Sequence, residues 1–463
     1  MCPGPFKLFS AVLFCLALHA AGAETQPPAA VPPTEPRRAL PVEPFAGQPL
    51  NLKTCYELAL LRMESVGLRD EDVRVAQARY REAIGAILPN VTLTGNQYFY
   101  KDQSSSFSSF STGGNTSAAG PVGTSDLTPR MASVDVKVPL FSGLRDVELA
   151  HAAKAQIEGN RQTAQRIRQS LYLDVAESFY QTLDYEEDLR ILADVETTLQ
   201  DRVKELEKRV RLGKSRDSEL LDASTSLAQT KVSVEHTRGL LSATREMLAF
   251  LIGLPSEQIT LRDDSPPAPG SLALAEYLNQ VAGRPDVLAA VQAEQAARAQ
   301  LSAAKGEHWP KLSFEGNYTL YDSSNLQTGN WYGFLTLEVP VFDGGSIEAR
   351  VDQNKSLYVE RRLDLAQLQR EAERDIRTYF NQFNLSLAEL VRLEEAVKTS
   401  GLNYQAQRSD YELKIVNNLD VLSALYRFQN LRRDENTARM NTRLNLIKLY
   451  VAAGSVAQGS GRK

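Results

Sequence analysis

Apolar residues recur along this chain with two alternating periods. From Glu71 to Ile87 they fall at helical spacing. The pattern breaks at Leu88-Pro89, alternates residue by residue over Asn90 to Lys101 and Met131 to Leu140, and returns to helical spacing after Phe141-Ser142-Gly143. The same succession recurs between Arg284 and Arg350. Helical spacing runs through Val287, Leu288 and Val291 to Ala304, breaks at Trp309-Pro310, and gives way to alternation over Lys311 to Tyr321 and Trp331 to Val341. A helix resumes after Phe342-Asp343-Gly344-Gly345. Pro89, Pro139, Pro310 and Pro340 sit where one period changes to the other, as expected of a residue that lacks an N–H and ends helices.

The recurrence keeps register. Pro139 and Pro340 are 201 positions apart, as are Leu221 and Leu422, and Ala223 and Ala424, whereas Pro89 and Pro310 differ by 221. The first hairpin is therefore 20 residues longer, and the surplus falls in the Ser/Gly/Asn run Ser104 to Gly123, which has the composition of an exposed flexible loop. The chain reads as a duplicated unit: repeat 1 over 50–271 with its hairpin at 90–140, and repeat 2 over 272–454 with its hairpin at 311–341.

In the second strand Val134, Val136, Val138 and Leu140 alternate with Ser133, Asp135 and Lys137. In the fourth, Leu335, Leu337, Val339 and Val341 alternate with Thr336 and Glu338. Val91, Leu93 and Phe99 share a face of the first strand, and Leu312, Phe314, Tyr318 and Leu320 a face of the third. Each strand is about 10 residues, the length that crosses a bilayer at a tilt. Aromatic residues gather toward the hairpin tips: Tyr98, Phe99, Tyr100, Tyr318, Tyr321, Trp331 and Tyr332, as in an interfacial girdle. A soluble pair of hairpins packed on helices satisfies the same alternation. If the strands do span a membrane, four cannot close a barrel, so identical copies must share the sheet; three copies supply about 12 strands.

Leu144 to Arg211 is helix-compatible throughout, about 100 Å at 1.5 Å per residue, and turns near Gly213-Lys214-Ser215 to return over Ser218 to Leu251. Lys53 to Ile87 is a second half-length helix. In repeat 2, Ser346 to Lys414 is long, while Leu272 to Lys305 and Leu419 to Ala453 are short. Leu192, Val195, Leu199, Val203, Leu206 and Val210 form a narrow seam with coiled-coil steps.

Composition narrows the function. Residues 1–23 read as a secretory signal, with Lys7, an apolar core Leu8 to Leu18 and Ala21-Gly22-Ala23. A Pro-rich arm over 24–49 follows, and 455–463 reads as a flexible tail. Without the signal one cysteine remains, Cys55, which allows no internal disulfide and no cysteine metal site. Lys7 is the signal's only charge, so the remainder has 51 basic and 57 acidic residues, a net charge of −6 that gives no basis for nucleic-acid binding. His151, His236 and His308 are far apart and read as solvated helix positions. No nucleophile elbow, phosphate loop or zinc spacing is present, which argues against an enzyme.

Over Leu50 to Gly454 the chain resembles the TolC-type outer-membrane efflux proteins. The resemblance rests on Arg284-Pro285-Asp286-Val287, on Val138-Pro139-Leu140-Phe141-Ser142-Gly143 with its counterpart Val339-Pro340-Val341-Phe342-Asp343-Gly344-Gly345, and on Leu419-Asp420-Val421-Leu422-Ser423-Ala424. It implies an α+β membrane protein, a trimeric 12-stranded β-barrel with four strands per chain, continued by a long α-helical coiled-coil tunnel. It places the protein in the outer membrane of a Gram-negative bacterium, reaching into the periplasm. The implied partners are two further copies, a periplasmic adaptor (membrane fusion) protein, an inner-membrane efflux pump and outer-membrane lipid; no cofactor is implied. The two helical turns become the periplasmic entrance. Asp420 matches the first acid of the family's entrance motif, and Ser423 stands where a second acid is expected. Tyr411 matches a tyrosine that links coils, although Val416 replaces its usual arginine partner. Glu219 and Asp222 are the repeat-1 equivalents. Asp420 also suits the first turn of a helix that Asn417 caps. Gly213, Lys214, Lys414, Asn417 and Asn418 are candidate adaptor contacts, and serve equally as turn residues. Asp135, Lys137, Glu315 and Glu338 fall on polar strand faces that would line a wet lumen. A periplasmic coiled-coil adaptor or scaffold without a pore is the alternative reading, and a type I secretion duct has the same pattern as a drug-efflux duct.

Overall fold

The computed structural model describes residues 49–97, 99, 130–266, 269, 273–322 and 331–455. The fold belongs to the unit Gly47–Lys463. The signal, nearly all of the Pro-rich arm, the loop Ser104 to Gly123 and the tail beyond Ser455 lie outside the described residues.

Repeat 1 comprises α1 (Leu52–Arg62), α2 (Glu64–Gly85), β1 (Asn90–Gln97), β2 (Arg130–Phe141), α3 (Arg145–Arg211) and α4 (Asp217–Ile252). Repeat 2 comprises α5 (Leu274–Leu278), α6 (Pro285–Gly306), β3 (Lys311–Asp322), β4 (Trp331–Glu338), α7 (Ser346–Glu412) and α8 (Asn418–Ala452). The long helices α3 and α7 each have 67 residues, about 100 Å. The expected continuous helices before each hairpin are broken. In repeat 2 the break follows from Pro285, which starts α6 after a 3-10 turn at Val281–Gly283 and cannot donate to a preceding turn. In repeat 1 the break is at Met63, whose extended backbone (ψ 120°) ends α1 and starts α2 with no proline or glycine to signal it. The 201-residue offset persists to the last turn: Gly253 and Gly454 both close their helices at positive φ.

The four strands form one antiparallel sheet in the order β1-β2-β3-β4. Its register places Val91, Val136, Gly316 and Gly333 in one row, and Thr92, Asp135, Asn317 and Tyr332 in the next, so one face is mainly apolar and the other mainly polar. Phe314 covers Gly316 and Gly333 on the apolar face. Trp331 and Tyr332 therefore face opposite sides and do not belong to one girdle. Pro139 stays within β2 and pairs with Ser313, at a register shift that accommodates its missing donor. β1 and β4 are the unpaired edges.

Helix packing centres on α3, which contacts α1, α2, α4, α6 and α8, whereas α7 contacts α5, α6 and α8. The expected seam is present: Val195, Leu199 and Leu206 pack with Ala223, Leu422 and Leu425. Where α3 meets α6 the contact is made by small residues, Ala152 with Ala296 and Ala299. Gly143, in the turn before α3, is so close to the end of α6 that an added Cβ would lie 2.1 Å from the Gly306 carbonyl oxygen. Its positive φ of 65° also needs glycine.

Candidate functional site: helix tips and the polar sheet face

The two tips are built on the same turn. Gly213 (φ 65°) and Lys414 (φ 62°), 201 positions apart, take the left-handed position that closes a helix. The next residues return amides to the helix: Lys214 N donates to Arg209 O (2.8 Å) and Ile415 N to Asp410 O (2.9 Å). Lysine at Lys414 accepts backbone strain that glycine avoids in repeat 1.

Asp420 is part of a capping box. Asp420 N donates to Asn417 Oδ1 (3.0 Å), and Asn417 N donates to Asp420 Oδ2 (3.1 Å). The carboxylate nevertheless stays exposed, as do Ser423 and Asp222, while Glu219 is half-buried and accepts from Ser215 Oγ at 2.5 Å. Gly213, Lys214, Lys414 and Asn417 are exposed on the tips. Asn418 is not: it is fully buried and is corrected from surface contact to internal tie.

That tie connects the repeats. Arg202 Nε donates to Asn418 Oδ1 (2.9 Å), and Asn418 Nδ2 donates to Glu219 O (3.3 Å). The Arg202 guanidinium lies 3.9 Å from the centre of the Tyr411 ring, and that of Arg209 lies 5.1 Å away. Arg202 Nη2, buried without a hydrogen-bond acceptor, has the ring face as compensation. Tyr411 thus has arginine partners, supplied by α3 rather than by position 416. The local motif gave no hint of them, but Arg202 and Arg209 both flank the apolar seam, where charge needs a partner.

A second polar tie lies farther along α3. Arg433 of α8 forms a bidentate pair with the buried Asp188, which also accepts from Thr237 Oγ1 (3.1 Å). One turn away, Asp184 accepts from Asn436 Nδ2 (2.8 Å) and Thr437 Oγ1 (3.1 Å). Burial pushes the Asp184 carboxyl up to about 6. Asp188 occupies the seam step before Leu192, and an acid at such a step was the signal available in the sequence. A third tie starts at Arg284, buried and paired with Asp286 (2.7 Å). With Arg166 and Gln169 it satisfies carbonyls at the end of α8: Ala452 (3.3 Å), Val451 (3.1 Å) and Gly454 (2.6 Å). Burial raises the Asp286 pKa, but Arg284 and Arg166 outweigh it and hold the carboxyl below its usual range.

On the sheet, Asp135, Lys137 and Glu315 share the polar face. Lys137 pairs with Glu315 at 2.8 Å, and Glu338 lies on the same side through its register with Lys311. Asp135 accepts from Asn317 Nδ2 (2.6 Å), Thr94 Oγ1 (3.0 Å) and Ser133 Oγ (3.2 Å). Among the described residues, no helix is long and apolar enough to cross a membrane, and no cluster of His, Cys, Asp or Glu is arranged to hold a metal.

Comparison with known proteins agrees with this architecture. The family model "Outer membrane efflux protein" matches residues 56–254 and 279–455, one match per repeat. The chain is 24% identical to the outer membrane protein TolC of Vibrio cholerae, over 74% of this chain and 82% of that protein. It is also 24% identical to the cation efflux system protein CusC of Escherichia coli, over 87% and 86%. The crystal structure of the outer membrane protein VceC from Vibrio cholerae superposes with a TM-score of 0.76 at 17% identity, over 88% of this chain and 97% of that one. The family model's match over most of the chain, on a fold of four strands continued by long and short helices, makes this protein a member of the outer membrane efflux protein family, a channel of the outer membrane that extends into the periplasm.

Proposed function

We propose that three copies of the chain form one passive exit duct. An inner-membrane pump supplies the energy, a periplasmic adaptor makes the connection at the helix tips, and solutes leave through a shared 12-stranded barrel. The observation that carries this reading is the set of contacts between repeats. Within one chain repeat 1 meets repeat 2 through β2–β3, α3–α6 and α3–α8. Shifted by one repeat, those contacts become β4–β1, α7–α2 and α7–α4, and none of these is a packed pair among the described residues.

The surfaces that would make them are exposed. The counterpart of the tight Gly143–Gly306 approach is Gly344 with Gly85, and an added Cβ at either meets nothing within 4 Å. The counterparts of Asp184 and Arg433 are Leu385 and Val232, 68% and 70% exposed. A neighbouring copy that sets Gly85 on Gly344 and the Val232 stretch of α4 on the Leu385 stretch of α7 repeats the internal packing. Such a head-to-tail contact generates a ring. Two copies would give about eight strands, an interior filled by side chains, and three give about 12, with room for water.

At the tips, the Arg202–Tyr411–Asn418 tie holds the coils of the two repeats together and serves as the resting latch. Three Asp420 carboxylates near one axis would favour cations. In planar bilayers the purified chain should conduct, and Asp420→Ala should raise conductance or weaken block by divalent cations. Unchanged conductance and block would remove Asp420 from the entrance. A water-soluble chain without bilayer activity would overturn the duct and favour a scaffold.

A further inference from the structure

The polar face of the sheet holds two aromatic rings among its charged and amide groups. Tyr332 and Phe334 are stacked, with centroids 6.0 Å apart and planes 14° from parallel. They line one hollow with Thr92, Asp135, Lys137 and Glu315. By register Phe334 lies opposite Glu315, and Tyr332 opposite Asn317, which in turn lies opposite Asp135. Both rings remain about half exposed among the described residues, 54% and 46%.

The two carboxylates of the hollow differ. Glu315 is compensated by the Lys137 ammonium at 2.8 Å. Asp135 is fixed by three neutral donors, so its charge is oriented but not cancelled. Two strand spacings, about 10 Å, separate Tyr332 from Asp135 along their shared row. Electron-rich rings on one side and a carboxylate without a cationic partner on the other are complementary to a flat cation of that width.

We propose that this hollow is a binding site for planar, apolar organic cations, received by the faces of Tyr332 and Phe334 and neutralised by Asp135. The proposal rests on the duct reading, which turns this face toward the lumen. It makes the wall selective for a class of cargo instead of a neutral lining. Neighbouring copies join at the edges of β1 and β4 and leave the hollow open.

The test is block of the full-length channel in planar bilayers by ethidium, a flat aromatic cation, and by tetrabutylammonium, which has the charge without rings. Ethidium should block the parent more strongly than tetrabutylammonium. The double change Tyr332→Leu with Phe334→Leu, which keeps apolar bulk, should weaken ethidium block about fivefold and leave tetrabutylammonium block unaltered. Tyr332→Phe should retain ethidium block, and Asp135→Asn should weaken block by both cations. Equal ethidium block in the parent and the double variant, or equal loss for both cations, overturns the site while the conductance itself leaves the duct standing. A parent that does not conduct overturns the duct and this site with it.

Discussion

The long helices α3 and α7 have the same length and leave equivalent strand-to-helix turns, yet α3 buries 20 of its residues and α7 seven. Their sequences do not differ enough in apolar content to explain this. Position in the chain does: α3 has neighbours from both halves of the chain, whereas Leu363, Leu385, Val391 and Leu402 on one flank of α7 stay exposed among the described residues. Equal helices in unequal surroundings leave α7 with an open flank, which in the proposed duct another copy covers as repeat 2 covers α3.

The largest effect separates core from flank. Phe179→Ala in α3 removes a fully buried ring and should cost about 3–5 kcal/mol of chain stability. Leu385→Ala in α7 should change stability of the isolated chain by no more than about 0.5 kcal/mol and show itself only in assembly. Denaturant unfolding and sedimentation measure the two. The glycine pairs sharpen the contrast at smaller scale. Gly306→Ala puts a Cβ 2.4 Å from the Gly143 carbonyl oxygen and should destabilise the chain by about 2 kcal/mol. Gly85→Ala meets open space within the chain and should leave it folded, since alanine is the better helix former, while weakening association.

Much of this was legible in advance. Pro89, Pro310 and the 201-residue offset located the strands and helices to within a few residues, because they mark backbone constraints that act locally. The faces of the sheet were readable for Asp135 and Lys137, where valines alternate with polar residues. Tyr332 and Phe334 share the parity of Thr336 and Glu338, yet their own apolar character hides that face, and the register with Asn317 and Glu315 is what sets them opposite those polar groups. The ties were less visible still. Tyr411 was identified, but its arginines come from a helix 200 residues away, and Asn418 reads as a turn residue until Arg202 is placed beside it. Met63 breaks its helix without any local signal.

The latch gives a moderate effect. Arg202→Ala removes a ring contact and a buried hydrogen bond and should cost about 1–2 kcal/mol at the tips, seen as higher conductance and faster hydrogen exchange there; Arg202→Lys should restore little, because the planar stack is lost. A further effect is the pH response of the tie between α3 and α8. Folded Asp184 keeps a proton up to about pH 6, whereas the unfolded chain releases it near 3.8. This group therefore favours the folded state most below pH 4, and its contribution falls as pH rises toward 6 and is flat above it. Thermal unfolding of Asp184→Asn against the parent should differ in slope between those values and not above.

The inequality of α3 and α7 is tested most directly by counting chains. Native mass spectrometry of the detergent-solubilised protein should find three copies per particle, and Leu385→Asp, which places a carboxylate on the exposed flank, should release folded monomers. A parent that is monomeric under the same conditions, with its α7 flank still open to solvent, would contradict the account.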